Sequence, residues 1–162
     1  MTTLQLFGKL GANLMGGESA SDAVPIDLLS DTLKFTLHTH TWVPNIDTNE
    51  AFADATNELT TANGYTANGI TIAGKTVVYN ATGNISTFTM DGTTCEWTAS
   101  GAGLVFRYAV LHDDTITTGP PAKPLIGFID CDPLVTGNIT IAAGNKFLIA
   151  PGANGLFTAT AV

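Results

Sequence analysis

The chain has 162 residues and a formal net charge of −8, from 14 acids against 6 bases. A single domain of about 150 residues buries roughly 68–70% of its unfolded surface, enough to fold without a metal or disulfide. The bases Lys9, Lys34, Lys75, Arg107, Lys123 and Lys146 are scattered, which excludes the cation cluster that nucleic-acid binding needs and disfavours an anionic membrane surface.

Residues 3–15, TLQLFGKLGANLM, place Leu4, Phe7, Leu10 and Leu14 on one stripe at helical spacing. Gly8 and Gly11 each weaken an isolated helix by up to about 1 kcal/mol. The segment therefore reads as a short docked helix or as an arm ordered by a partner. Residues 16–25, GGESASDAVP, read as a loop. DTLKFTLHTHTW, from Asp31 to Trp42, alternates. Leu33, Phe35 and Leu37 face one way, with Lys34, Thr36, His38 and His40 on a polar face, as in a half-buried strand.

DTNEAFADATNEL, from Asp47 to Leu59, carries the clearest helical pattern. Asp47 and Glu50 suit a capping box, and Phe52, Ala55 and Leu59 form a narrow apolar stripe. TANGYTANGI then supplies two Asn-Gly pairs. Both residue types tolerate positive φ, so the first pair is expected to end the helix and the second to turn the chain into a sheet.

Beyond Gly69 the pattern is strand and turn. GITIAGKTVVYN kinks or bulges at Gly74, NATGN turns, ISTFTMD alternates, and TCEWT is short. LVFRYAVLHD, from Leu104 to Asp113, is nearly continuous hydrophobic and reads as a central strand covered on both faces. TITTGPPAKP is a loop, LIGFIDC a strand, and the remainder gives three short strands. The fold class is mainly β: an antiparallel β-sandwich, jelly-roll or Ig-like, with one or two short N-terminal α-helices. It spans 1–162 as one domain, with 1–30 as an arm, helix and loop able to contact a partner.

His38 and His40 at i and i+2 of a strand could grip one metal ion. No carboxylate stands at a diagnostic spacing, so two imidazoles on a polar face are the ordinary reading, and their joint protonation could tune an interface. His112-Asp113-Asp114 ends the central strand and reads as a solvated acidic turn. Arg107, if buried, needs a carboxylate partner, with Glu96, Asp130 and Asp132 as candidates. Cys95 and Cys131 read as reduced, largely buried residues, with a disulfide left open. Trp42 and Trp97 could stack on a sugar, but single tryptophans more often fill a core. No phosphate-binding or nucleophile motif is present in the sequence. The expectation is no enzyme activity, no cofactor and no metal. The N-terminal residues lack a signal peptide's basic start and apolar run, so cytoplasmic synthesis is expected.

In order, DTLKFTL, NEAFADATNEL, GYTANGITIAGKTVVYN, CEWTAS, FRYAVLHDD, KPLIGFIDC and the GNITI … ANGLFTATAV ending resemble small structural proteins of tailed bacteriophages, many of them called head decoration proteins. RYAV followed by an acidic turn and PLIG carries most of the likeness. The chain departs from the pattern in its N-terminal segment and at KFLIAPGANG. The resemblance implies a virion component on the capsid exterior, assembled in the bacterial host cytoplasm. The partners expected with it are the major capsid protein and further copies of the chain, as a homotrimer, with no nucleic acid and no membrane. Leu4, Leu6, Phe7, Leu10, Leu14, His38, His40 and Trp42 are the expected contact residues. A neck, tail or fibre-attachment component and a carbohydrate-binding β-sandwich are the alternatives.

Overall fold

A computed structural model describes residues 4–15, 25–119, 121–134 and 136–160. The loop expected over 16–25 thus lies outside the described residues except for Pro25, as do residues 1–3, 120, 135, 161 and 162. The strands are β1 (Gln5–Leu6), β2 (Leu33–His38), β3 (Ile70–Thr71), β4 (Thr76–Asn80), β5 (Ile85–Thr89) and β6 (Glu96–Thr98). They continue with β7 (Leu104–Phe106), β8 (Tyr108–Asp113), β9 (Leu125–Asp130), β10 (Ile139–Ile141), β11 (Lys146–Leu148) and β12 (Phe157–Thr160). One α-helix, α1, covers Leu10–Leu14.

The main sheet has the order β1-β9-β8-β2-β3, and its pairs are antiparallel. β8 is central, as expected, but the strand expected over Leu104–Asp113 breaks at Arg107, and Leu104–Phe106 forms β7 in a separate sheet. Three smaller antiparallel sheets accompany the main one: β10-β7, β11-β6 and β12-β5-β4. Leu33, Phe35, Leu37, Leu111 and Ile126 of the main sheet join Phe88, Trp97, Leu104, Phe106 and Ile149 from the smaller sheets and their flanks in one core. The fold is mainly β and sandwich-like, held by apolar burial between these layers.

The second face of the main sheet corrects the sequence reading. Thr36 and His38 are fully buried there, not solvated. A second apolar cluster of Phe7, Trp42, Ala55, Val110, Leu125 and Phe128, with Phe52 and Tyr108 packed on it, covers this side.

The expected helix over Asp47–Leu59 is absent; only a 3₁₀ turn, Phe52–Asp54, forms. Its backbone groups are used elsewhere. Phe52 N–H donates to the Lys123 carbonyl at 2.9 Å, Leu125 N–H to the Glu50 carbonyl at 2.8 Å, and Leu59 N–H to the Leu37 carbonyl at 2.9 Å. The Asn45 side chain accepts from Asp47 and Thr48 N–H, and the Asp54 carboxylate from Glu50 and Ala51 N–H. These bonds tie the segment across the sheet as irregular chain and leave no helical ladder to form.

The N-terminal stripe is likewise only partly helical. Leu4, Phe7 and Leu10 sink into the two cores, and β1 adds an edge strand to β9. Among the described residues, this segment is woven into the chain's own body.

The first Asn-Gly pair ends no helix. Asn63 (φ 54°) and Gly64 (φ 90°) form the turn of a two-residue hairpin closed by Ala62 and Tyr65. Two central residues at positive φ are what such a hairpin demands. Asn68 (φ 71°) and Gly69 (φ 66°) then lead into β3, as expected.

Candidate functional site

Each group with catalytic potential has a defined place. The His38 ring sits at the end of β2 with Nδ1 2.9 Å from the Thr56 carbonyl and Nε2 2.9 Å from the Thr36 hydroxyl. A carbonyl only accepts, so Nδ1 carries the proton and the neutral ring is satisfied on both sides. Burial holds its pKa below the usual imidazole value, against the opposing Thr56 bond. His40 lies beyond the strand end and is exposed; its backbone N–H donates to the Asn138 side chain. The two imidazoles therefore share no face, which removes the metal grip that i, i+2 spacing suggests. Among the described residues, no group of three or more His, Cys, Asp or Glu is placed to hold a metal ion.

His112 lies flat on Phe52, ring centroids 4.1 Å apart, and burial drives its pKa down to about 3. The solvated turn expected after it is in fact folded in. Asp113 is fully buried, with Oδ1 accepting from Thr115 N–H at 2.7 Å. Burial pushes its carboxyl up to about 6, and the neighbouring Asp31 carboxyl adds to that shift. Burial acts the same way on Asp114, but Lys123 and Lys34, each at 2.6 Å, outweigh it and hold that carboxyl below its usual value.

Arg107 forms the expected buried pair. Nε and Nη2 meet the two Asp130 oxygens at 2.6 and 2.8 Å, and Nη1 donates to the Gly137 carbonyl at 3.0 Å. Cys95 and Cys131 are unbonded to each other, and burial raises both thiols to about 12. At neutral pH neither is a nucleophile. Tyr65, also buried, donates its hydroxyl to Glu58 at 2.6 Å while accepting from Leu37 N–H. Trp42 and Trp97 are 4% and 3% exposed, so neither offers a ring face to a sugar.

An open cleft lies elsewhere. About 810 Å³ in volume, it runs between β1 and the segment from Ile149 to Thr158. Leu4, Leu6, Ile129, Ile149, Pro151 and Leu156 supply its apolar walls, and among the described residues no lining residue carries an ionisable side chain. Of the expected contact residues, Leu4, Phe7, Leu10, His38 and Trp42 are covered by the chain itself, because they fill its two cores. Leu6 and His40 reach the surface, and Leu14 is half-buried.

Sequence reasoning missed a further surface. β4 is an edge strand, exposed along its whole length, with Val77, Val78 and Tyr79 at 44%, 58% and 60%. The signal was legible: apolar residues at consecutive strand positions put oil on both faces. Compared with family models, curated proteins and solved structures, the chain matches none.

Proposed function

We propose that this chain works by burying surface against other proteins, as a non-enzymatic head decoration (capsid cement) protein of a tailed bacteriophage. The observation that carries the reading is the cleft beside β1, whose lining holds apolar side chains and no acid, base or thiol. A cleft of that chemistry suits an apolar segment of a neighbour and gives a reacting substrate nothing to react with. Two of the three imidazoles (His38 and His112), the thiols and the arginine are spent inside the fold on packing and structural hydrogen bonds. The acidic exterior fits a position outside the shell, away from packaged DNA. The partner proposed is the major capsid protein, and many weak contacts per particle would supply avidity.

The test uses particles made with and without the chain. Particles lacking it should assemble yet release their DNA at lower temperature, and added purified chain should restore the wild-type profile. Leu6→Glu, at the mouth of the cleft, should fold normally and fail to restore it. Equal heat endurance with and without the chain rejects the cement role. A copy number of a few to a dozen per particle would point to a neck or tail position instead.

A further inference from the structure

We propose that β4 is a self-pairing edge: two copies of this chain join antiparallel through Thr76–Asn80 about a two-fold axis at Val78. The inference is independent of the virion reading, since it rests on this strand alone. β4 lies at the end of the β12-β5-β4 sheet, and its five residues are all exposed. On one side it pairs with β5 in unbroken register, Thr76 with Thr89 through Asn80 with Ile85. On the other side alternate N–H and C=O groups point outward.

Proteins ordinarily protect such an edge with a charge, a proline, a bulge or a covering segment. Among the described residues β4 has none of these. It also carries apolar side chains on both faces, where a solvated edge would carry them on one.

Charge identifies the occupant. The chain carries a net charge of −8, so two copies repel wherever acidic surfaces meet. Yet Thr76 to Met90, the whole β4–β5 hairpin with its turn, holds no acid, no base and no histidine. Lys75 and Asp91 bound that neutral stretch. A cationic partner would gain nothing from a neutral strand on an acidic body. A second acidic copy gains a contact in which no like charges meet across the strand.

The sequence of the strand is also self-complementary. Antiparallel pairing centred on Val78 sets Val77 opposite the second copy's Tyr79 on one face and Val78 opposite Val78 on the other. Aromatic with β-branched is a favoured cross-strand pair. Thr76 then meets Asn80, polar against polar. The result is a continuous six-stranded sheet in place of two exposed edges, and a closed two-fold in place of the trimer implied by the resemblance.

Light scattering on the size-excluded full chain tests this. Wild type should have the mass of two chains, and more of it should be paired at high salt, which screens the acidic bodies. Val78→Lys and Val78→Glu each put like charges face to face across the axis. Each variant alone should fall to the mass of one chain while keeping the wild-type melting profile of a folded protein. An equimolar mixture of the two should recover the two-chain mass, because Lys then faces Glu. A wild-type mass of one chain at every concentration overturns the proposal. So does a mass of three, which would indicate β4 pairing with a different edge. Failure of the mixture to recover also overturns it. None of these results touches the virion reading, which is scored on particles.

Discussion

Asp113 offers the sharpest energetic test of the fold. Its carboxyl is fully buried at the end of β8, and its native pKa lies at about 6 against an ordinary 3.8. An acid whose native pKa is raised binds protons more tightly when folded than when unfolded. Between those two values the native state therefore holds more protons, and stability falls as pH rises. Above about 6 the cost is fully expressed. At about 1.36 kcal/mol for each tenfold in proton affinity, the ceiling is about 3 kcal/mol.

Asp113→Asn removes the charge and keeps the Oδ1 acceptor that Thr115 N–H uses at 2.7 Å. Its amide NH₂ takes the place of Oδ2 and can donate to Asp31, the carboxyl whose hydrogen bond already helps raise the Asp113 pKa. We expect the variant to be more stable than wild type by about 1–2 kcal/mol at neutral pH, discounting the ceiling for relaxation around the acid pair. Near pH 4 the gain should vanish. His38 and His112 give wild type an opposite slope, because native imidazoles with lowered pKa values lose stability as pH falls below about 6.5. Both proteins share those histidines, so the difference between their urea midpoints across about pH 4 to 7.5 isolates Asp113. A difference that stays constant with pH, or an Asn variant that is weaker at neutral pH, would refute the reasoning.

Arg107→Met strands the Asp130 carboxylate in a half-buried site and should cost about 3 kcal/mol in urea unfolding; adding Asp130→Leu should recover most of that. Gly69→Ala places a Cβ against the Phe35 carbonyl oxygen at φ 66° and should cost about 2–4 kcal/mol, whereas Gly144→Ala, at φ 85° with open space around it, should cost about 1 kcal/mol. Equal melting temperatures for those two variants would refute the close approach at Gly69. Both thiols should resist a disulfide reagent in the native protein at neutral pH and react fully in denaturant, with the native rate rising only toward strongly alkaline pH.

The β elements were legible because alternation and turn chemistry are local. Leu33, Phe35 and Leu37 declare one face of a strand by spacing alone, and Arg107 in an apolar run demands a carboxylate wherever the chain supplies one. The helix expected over Asp47–Leu59 shows where local signals stop. Its caps and stripe are real, but Asn45 and Asp54 turn their side chains onto nearby N–H groups, and Asn57 sits at φ 59°. The remaining donors and acceptors find β2 and the Lys123–Leu125 strand entry. Those partners are distant in sequence, so no window of residues could disclose them.

The same segment also sets the environment of the buried histidines. The sequence places Thr36 and His38 on a solvated polar face; in the structure Thr36, His38 and His112 are all covered. The irregular chain lays Phe52 and Ala55 on that face beside Trp42. Once covered, an imidazole is stable only when neutral and hydrogen-bonded, and His38 meets both conditions through Thr56 and Thr36. His112 meets the first through burial, which drives its pKa to about 3, and it packs by stacking on Phe52. The histidines thus become part of what glues the coil to the sheet. What the exterior retains among the described residues includes an apolar cleft and a bare, neutral strand edge, the surfaces on which the proposed contacts rest.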